Sequence, residues 1–123
     1  MKLIFSGRPV SGSQRGGRLI GFPTINLELK EIPEQKWGVY FSYIYFESKK
    51  LPAISHLGPI LTFDEKKIKC ETHIISWRSD ISPEMVKVKL FKKIRDIKKF
   101  SSSAELADQI KEDIDRARKY FKI

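Results

Sequence analysis

Cysteine, histidine and long apolar runs are all scarce in this sequence of 123 residues. Cys70 is the one cysteine, so an intrachain disulfide and a zinc site built from cysteines are both excluded. The longest apolar stretch, residues 37–46, is less than half of a membrane span, and the run after Met1 is far too short for a signal peptide. Two histidines are too few to indicate a metal cluster. The sequence therefore predicts a cytoplasmic protein that does not enter a membrane.

Acidic residues are outnumbered, since 24 Lys and Arg against 15 Asp and Glu give a formal net charge of +9. The densest basic stretch is Lys87–Lys99, which contains Asp96 as its only acid. Such stretches occur on nucleic-acid-binding surfaces, but also on ordinary solvated strand faces. No RNP-type aromatic signature accompanies the lysines. We therefore expect a solvated face and no nucleic-acid partner.

Short alternating segments separated by turn residues dominate the chain and predict a mainly β fold. In residues 67–77 alternate side chains divide into an apolar set and a set that contains Glu71 and His73. Residues 37–46 are apolar on both faces, which indicates a strand buried on both sides. The predicted strands lie at residues 2–5, 24–29, 37–46, 51–57, 67–77 and 85–91.

Only the C-terminal segment predicts a long helix, over about residues 102–121. Ser102 and Glu105 have the spacing of a capping box, in which side chains satisfy the first free N–H groups of a helix. An apolar stripe then recurs at three- and four-residue steps, through Leu106, Ile110, Ile114, Ala117 and Phe121. We expect the stripe to dock the helix against the rest of a single domain that covers residues 1–123.

Glycine is concentrated near the N-terminus, where five of the seven glycines lie between positions 7 and 21. Because glycine permits positive φ and close backbone approach, such a loop can wrap phosphates with its N–H groups. Arg15 and Arg18 can add charge-assisted contacts to phosphate oxygens. The loop matches neither the Walker A motif nor the Rossmann fingerprint. It is typical of a phosphate-binding loop or of a plain mobile loop.

Thr24 and Asn26 follow this loop and are two residues apart, so on a strand their oxygens point to the same side. Hydroxyl and amide oxygens are hard ligands that suit Mg²⁺, an ion that also takes nucleotide phosphates. The same two side chains can instead make turn hydrogen bonds. The spacing alone leaves both interpretations open.

Glu71 is the only acidic residue within a clearly alternating strand, where an acid is costly unless it has a partner or a task. A carboxylate in reach of a hydroxyl can orient it and accept its proton during phosphoryl transfer. The alternative is a salt bridge with Lys69 on the same face. His73 shares that face, and we expect it to be a structural or supporting residue.

Several motifs, in order along nearly the whole chain, resemble those of riboflavin kinases. Residues 12–26 resemble the glycine-rich loop and Pro-Thr-Ala-Asn motif of that family, and residues 38–40 its Gly-Val-Tyr strand. Residues 57–63 resemble the Asn-Ile-Gly-x-Arg-Pro-Thr-Phe block, and residues 71–75 the Glu-x-His-Ile strand. Residues 94–100 resemble the Leu-Arg-x-Glu-x-x-Phe flap. The family's C-terminal helix is matched at Leu106, Gln109, Ile110, Asp113 and Ala117.

The resemblance implies a six-stranded antiparallel Greek-key barrel over about residues 1–100, with the helix packed outside. It implies an enzyme that transfers the γ-phosphate of ATP to the 5′-hydroxyl of riboflavin, giving FMN and ADP. We expect this enzyme to be a monomer. Glu71 would be the general base, and Arg95 and Phe100 of the flap would bind the flavin. Thr24 and Asn26 would bind Mg²⁺ and ATP. The other residues expected to contact the nucleotide are Gly12, Arg15, Gly16, Gly17, Arg18, Gly21 and Pro23.

The chain departs from the family pattern at His56, Leu61, Ser82-Pro83 and Ile97, which cluster on the flavin side. Two alternatives therefore stand beside the kinase. One is a degenerate barrel that binds flavin or nucleotide without turnover, and the other is a noncatalytic basic β-barrel that binds nucleic acid. Most bacterial members also carry an adenylyltransferase domain that makes FAD, for which 123 residues leave no room. We expect a monofunctional kinase or an excised C-terminal domain.

Overall fold

The computed structural model describes residues 2–10, 24–76 and 82–123. These residues form six strands and one long helix, and two 3-10 turns lie at Glu34–Lys36 and Leu61–Phe63. The mainly β prediction is confirmed. The main elements are β1 (Leu3–Gly7), β2 (Thr24–Glu28), β3 (Gly38–Phe46), β4 (Lys49–Gly58), β5 (Lys69–Ile74), β6 (Val86–Arg95) and α1 (Ser103–Phe121).

All strand pairs are antiparallel, and the sheet has the order β1-β6-β3-β4-β5-β2. β3, β4 and β5 are successive neighbours, and β6 returns to pair with β3, which is a Greek-key connection. The sheet curls into a half-barrel. In the part of the chain that the structure describes, one bridge links Val10, which follows edge strand β1, to the other edge strand, β2. In it the Val10 N–H donates to the Asn26 carbonyl oxygen at 2.9 Å.

Strand alternation divides the apolar side chains between the two faces of the sheet, because successive residues point to opposite sides. The inner face of the half-barrel holds one cluster, and the outer face holds a second cluster beneath α1. The inner cluster includes Ile25, Leu27, Ile44, Leu57, Cys70, Ile74, Val88 and Leu90. The outer cluster includes Val39, Phe41, Ile54, Leu106, Ile110, Ile114 and Ala117. The predicted docking of the helix stripe is confirmed.

α1 begins at the predicted capping box. The Ser102 hydroxyl accepts a hydrogen bond from the Glu105 N–H at 3.1 Å, and the Glu105 carboxylate accepts one from the Ser101 N–H at 3.1 Å. These contacts satisfy N–H groups that the helix itself leaves free. Among the residues described, no helix is long and apolar enough to cross a membrane.

β6 extends to Arg95, four residues beyond its predicted end at Phe91. The prediction stopped early because two bulges interrupt the alternation of the strand. The register against β3 shifts between Leu90 and Lys92 and again between Lys93 and Arg95. Each bulge places an extra residue on one strand, so an alternation pattern appears to end there although the strand continues. The strand predicted over residues 67–77 is shorter, at Lys69–Ile74. The bulges let β6 contribute to both apolar clusters.

Candidate active site

A row of polar side chains crosses the outer face of the sheet on β2, β5 and β4. Thr24 lies opposite His73 and Asn26 lies opposite Glu71, while His56 flanks Glu71 from β4. Because cross-strand partners share a face, the pairing brings the predicted base beside the predicted ion-binding residues. Asn26, Glu71 and His73 are only 1%, 5% and 3% exposed. The fold thus places Thr24, Asn26 and Glu71 next to one another on one face of the sheet.

Glu71 is held through one of its two oxygens. Its Oε1 lies 3.4 Å from His73 Nε2, whereas its Oε2 is buried and has no hydrogen-bond partner among the described residues. Lys69, the alternative partner suggested by the sequence, pairs with Glu65 at 3.2 Å. Burial raises the pKa of Glu71, but the hydrogen bond from His73 and nearby positive charge outweigh burial and hold the pKa below its usual value. Glu71 is therefore an ionised carboxylate near neutral pH.

Asn26 presents a second set of buried groups beside that carboxylate. Both its Oδ1 and its Nδ2 lack a hydrogen-bond partner within residues 2–10, 24–76 and 82–123. A buried amide without partners is costly, so this position is suited to an external group. Asn26 Oδ1 and the nearby Thr24 hydroxyl are the hard oxygen ligands that a divalent cation prefers. The residues present fit the predicted ion site.

A cavity opens between this polar row and α1. About 30 Å³ of it is open to solvent, which is room for very few water molecules, and Glu71, His56 and Arg95 contribute to its polar lining. The lining is mostly apolar with a few polar groups, as in small-molecule sites, but a ligand of flavin size would need the cavity to widen. The apolar side chains that line it are Val39, Ile54, Ile60, Phe63, Leu106 and Ile110.

His56 occupies the position at which the sequence departs from the Asn-Ile-Gly pattern. Its Nε2 lies 3.0 Å from the Pro59 carbonyl oxygen, which can only accept, so Nε2 carries the hydrogen. Burial lowers the pKa of His56, which favours the neutral ring. His56 therefore presents an unprotonated Nδ1 and has already used its ring N–H on the backbone.

Arg95, which the sequence predicts to contact flavin, lines the cavity and is fixed by α1. Its Nη2 lies 2.7 Å from Asp113 Oδ2 and its Nε lies 3.0 Å from Asp113 Oδ1. Gln109 donates to the same carboxylate at 3.1 Å. Asp113 is 1% exposed, so the two-point contact satisfies a buried charge. The guanidinium is thereby held at one end of the cavity.

The far end of the predicted flap is held by the turn after β4. The Phe100 N–H donates to the Thr62 hydroxyl at 3.0 Å, and Lys99 pairs with Asp64 at 2.9 Å. The Phe100 ring packs against the outer cluster. Residues 95–100 are thus attached to the molecule at both ends.

A comparison with family models identifies the family of this chain. The model of riboflavin kinase (flavokinase) matches residues 1–121. The chain belongs to the riboflavin kinase family. Enzymes of this family transfer phosphate from ATP to a hydroxyl of riboflavin and use a divalent metal. The resemblance seen in the sequence is confirmed.

Curated relatives of the riboflavin kinase family are longer than this chain. The bifunctional riboflavin kinase/FMN adenylyltransferase of Escherichia coli (strain K12) is 35% identical over 117 residues, which are 94% of this chain and 37% of the relative. The trifunctional protein RibF/MnmA of Mycoplasmoides gallisepticum is 36% identical over 116 residues, 94% of this chain and 18% of that protein. The chain thus spans 18 to 37% of these two relatives.

Solved structures show the same fold. A structure named as a macrolide-efflux protein from Streptococcus pneumoniae has a TM-score of 0.74 and 36% identity, and covers 94% of this chain and 38% of that chain. Riboflavin kinase from Trypanosoma brucei has a TM-score of 0.58 and 20% identity, over 98% of this chain and 80% of that chain. The predicted six-stranded antiparallel fold with its C-terminal helix is confirmed.

Seven of the nucleotide-binding residues that riboflavin kinase resemblance implies lie outside the described residues. The described segment before these residues ends at Val10, and the one after them begins at Thr24. The bridge between Val10 and Asn26 joins the two segments. The two described segments that flank the glycine-rich sequence therefore meet at Asn26. The seven residues are Gly12, Arg15, Gly16, Gly17, Arg18, Gly21 and Pro23.

Sequence reasoning assigned no site role to Asp113 or His56 of this riboflavin kinase family member. A signal for Asp113 was present, since it lies on the apolar stripe between Ile110 and Ala117, where an unpaired acid is costly. His56 lies on the outward alternate positions of β4 with Ile54. That parity indicates its face, but not the cavity above it.

Proposed function

We propose that this chain is a riboflavin kinase that transfers the γ-phosphate of ATP to the 5′-hydroxyl of riboflavin, giving FMN and ADP. The observation that carries the proposal is the buried, unpartnered Oε2 of Glu71 beside the unpartnered amide of Asn26. The Glu71 oxygen suits the riboflavin hydroxyl, which attacks the γ-phosphate of ATP. The Asn26 amide suits the ion and the phosphates that this ion would hold. Glu71 also lines the small cavity beneath α1.

Glu71 would act as the general base. Its Oε2 can accept a hydrogen bond from the primary hydroxyl of riboflavin and later its proton. The lowered pKa of Glu71 keeps the carboxylate ionised, at the expense of proton affinity. In phosphoryl transfer positioning contributes more than proton removal, because the transition state is loose. Orientation of the hydroxyl is thus the main task that we assign to Glu71.

Thr24 and Asn26 would hold Mg²⁺, and Asn26 Nδ2 can donate to a phosphate oxygen. When bound, this ion neutralises phosphate charge and orients the phosphates for in-line attack. Mg²⁺ is proposed over softer ions because the donors are a hydroxyl and an amide oxygen. From the family resemblance, the glycine-rich segment with Arg15 and Arg18 would complete the nucleotide site.

The flavin would bind at the mouth of the cavity beneath α1, near Arg95 and Phe100, and the cavity would widen from about 30 Å³ to admit it. Riboflavin is uncharged, which suits an apolar lining with few polar groups. We further propose that residues 1–123 form one domain, that the enzyme acts as a monomer, and that it acts in the cytoplasm. Size-exclusion chromatography with light scattering tests the monomer.

Turnover with riboflavin, ATP and Mg²⁺ tests the proposal, with FMN separated by chromatography and measured by fluorescence. We expect the unsubstituted protein to make FMN, and Glu71→Gln to lower kcat about 10²- to 10⁴-fold, because one positioned base is lost. Glu112→Gln, on the exposed face of α1, is the matched control and should retain full activity.

Absence of FMN with the unsubstituted protein would contradict the proposal. Calorimetric titration with riboflavin and with Mg-ADP then identifies what remains. Binding of either ligand without turnover would indicate the degenerate barrel. Thermal unfolding of both variants shows whether a lost activity reflects a lost fold.

A further inference from the structure

His73 lies between the proposed ion site and the proposed base, with one ring nitrogen facing each. Its Nδ1 is 3.5 Å from the Thr24 hydroxyl, and its Nε2 is 3.4 Å from Glu71 Oε1. The ring is 3% exposed. We propose, on the basis of the proposed function, that His73 is a positioning residue that fixes the Glu71 carboxylate and leaves Oε2 as the oxygen that meets the hydroxyl.

The direction of each hydrogen bond follows from the chemistry of the three groups. An ionised carboxylate can only accept, so His73 Nε2 donates to Glu71 Oε1. In the tautomer whose hydrogen is on Nε2 the other nitrogen accepts, and the group that faces Nδ1 is the Thr24 hydroxyl. The hydroxyl has a single hydrogen, so giving it to Nδ1 leaves the Thr24 oxygen free to act as an ion ligand. One arrangement of hydrogens therefore serves both the ion site and the base.

The other cations and ring N–H groups around Glu71 are directed elsewhere. His56, its neighbour on β4, donates its ring N–H to the Pro59 carbonyl. Lys69, two residues earlier on β5, pairs with Glu65. His73 is accordingly the side-chain donor to Glu71 within the described part of the chain.

The strands give this arrangement a rigid support. Glu71 and His73 are alternate residues of β5, and Thr24 is the cross-strand partner of His73 on β2. Side chains that orient a functional group from behind in this way typically change activity by about 10- to 100-fold when they are lost. Without His73 the Glu71 carboxylate can rotate about its terminal torsion, so its Oε2 no longer has one direction.

Kinetics of His73→Leu and His73→Gln test the positioning role. We expect His73→Leu to lower kcat about 10- to 100-fold with the KM values for riboflavin and ATP changed less than about two-fold. His73→Gln retains a side-chain N–H near the position of Nε2 and should recover most of the loss. An unchanged kcat in His73→Leu, a parallel change in KM, or no recovery in His73→Gln would overturn the inference.

Ring ¹⁵N chemical shifts of His73 give a readout that does not depend on turnover. We expect a protonated Nε2 and an unprotonated Nδ1 in the unsubstituted protein, with His73→Leu used to assign the signals. A hydrogen on Nδ1 would contradict the inference even if the enzyme is active. Conversely, failure of the unsubstituted protein to make FMN contradicts the proposed function, while the shifts still decide how His73 is hydrogen-bonded.

Discussion

Two neighbouring buried side chains of β5 have pKa values that shift in opposite directions. Cys70 points to the inner cluster, where burial raises the pKa of its thiol to about 11. Glu71 points to the outer face, where burial raises the pKa of the carboxyl group but the hydrogen bond from His73 and the basic groups nearby together outweigh it and lower the pKa. Adjacent residues on one strand therefore have opposite tendencies to ionise, because the hydrogen bonds of Cys70 with Thr72 and Ser55 do not outweigh its burial.

The raised pKa of Cys70 predicts a thiol that resists alkylation in the folded protein. At pH 8 a thiol with a pKa of about 9 is about one-tenth ionised, and one with a pKa of about 11 about one-thousandth. We therefore expect labelling by iodoacetamide, followed by mass spectrometry, to be at least about a hundred-fold slower in the native protein than in urea. Because Cys70 is the only cysteine, the label reports this site alone.

Equal labelling rates in buffer and in urea would contradict this prediction.

The raised pKa of Cys70 also has a consequence for stability. A pKa that is higher in the folded state contributes stability below pH 9, and that contribution is lost as the pH rises toward 11. Replacement by serine removes this part of the pH dependence.

At this scale the sequence indicated Glu71 but not how it is held. Strand alternation and the cost of burying an acid were sufficient to single out Glu71. They could not show that Lys69 pairs with Glu65, because a salt bridge depends on side-chain reach rather than on parity. Nor could they show which nitrogen of His73 faces Glu71, since that depends on the ring orientation against β2.

Among the elements, α1 is joined to the sheet by both apolar packing and one buried ion pair. Its stripe packs on the outer cluster, and Asp113 meets Arg95 at the end of β6. A buried ion pair is a poor source of net stability, but loss of one member leaves an uncompensated charge. This pair therefore sets where α1 lies more than how strongly it binds.

Asp113→Ala is expected to lower the free energy of unfolding by about 3 kcal/mol, because Arg95 keeps its charge in a site that is mostly shielded from water. The double variant with Arg95→Met should recover part of this loss, with a coupling energy of about 1–3 kcal/mol. Urea unfolding measures all four members of the cycle. Asp115→Ala, on the exposed face of α1, is the control and should cost little.

A coupling energy near zero would show that the pair does not hold α1 in place.

The sequence predicted α1 well, because a capping box and an apolar stripe are local patterns. It missed the last four of the ten residues of β6, since a bulge is read as the end of alternation. Arg95 is the last of those four residues, so its ion pair with Asp113 was not predictable for the same reason.

For the whole molecule, much of the basic stretch Lys87–Lys99 is engaged rather than free. Lys93 and Lys99 pair with Asp96 and Asp64, and Arg95 pairs with Asp113. Other lysines of the stretch lie over aromatic rings at 4.6 to 5.2 Å, as cation–π contacts. These contacts are Lys87 on Tyr45, Lys92 on Tyr120 and Lys98 on Phe100. They agree with the expected strand face and give the nucleic-acid alternative no added support.

The net charge of +9 predicts that salt weakens the binding of ATP more than the binding of riboflavin. ATP is a polyanion and riboflavin is neutral, so screening acts on one substrate only. Between about 20 and 200 mM NaCl we expect the KM for ATP to rise about three- to ten-fold while the KM for riboflavin changes less than about two-fold. Steady-state kinetics at fixed free Mg²⁺ measures both.

Arg18→Ala should reduce this salt dependence, and Lys111→Ala on α1 is its matched control. Equal salt effects on the two substrates would contradict an electrostatic role for the net charge.

The fold and the family of the whole molecule were predicted from the order of short motifs along the chain. This prediction could not include the bridge from Val10 to Asn26, because one backbone contact leaves no pattern in the residues.

The two bulges of β6 act as a pair. Each one reverses which residues of the strand face inward, so the second restores the parity that the first disturbs, and Arg95 ends opposite Val39 on the helix side. Deletion of one residue between Leu90 and Arg95 would turn the side chains that follow it in β6 to the opposite face of the sheet. Deletion of two residues would restore their original face. Relatives of this chain are therefore expected to gain or lose residues here in even numbers.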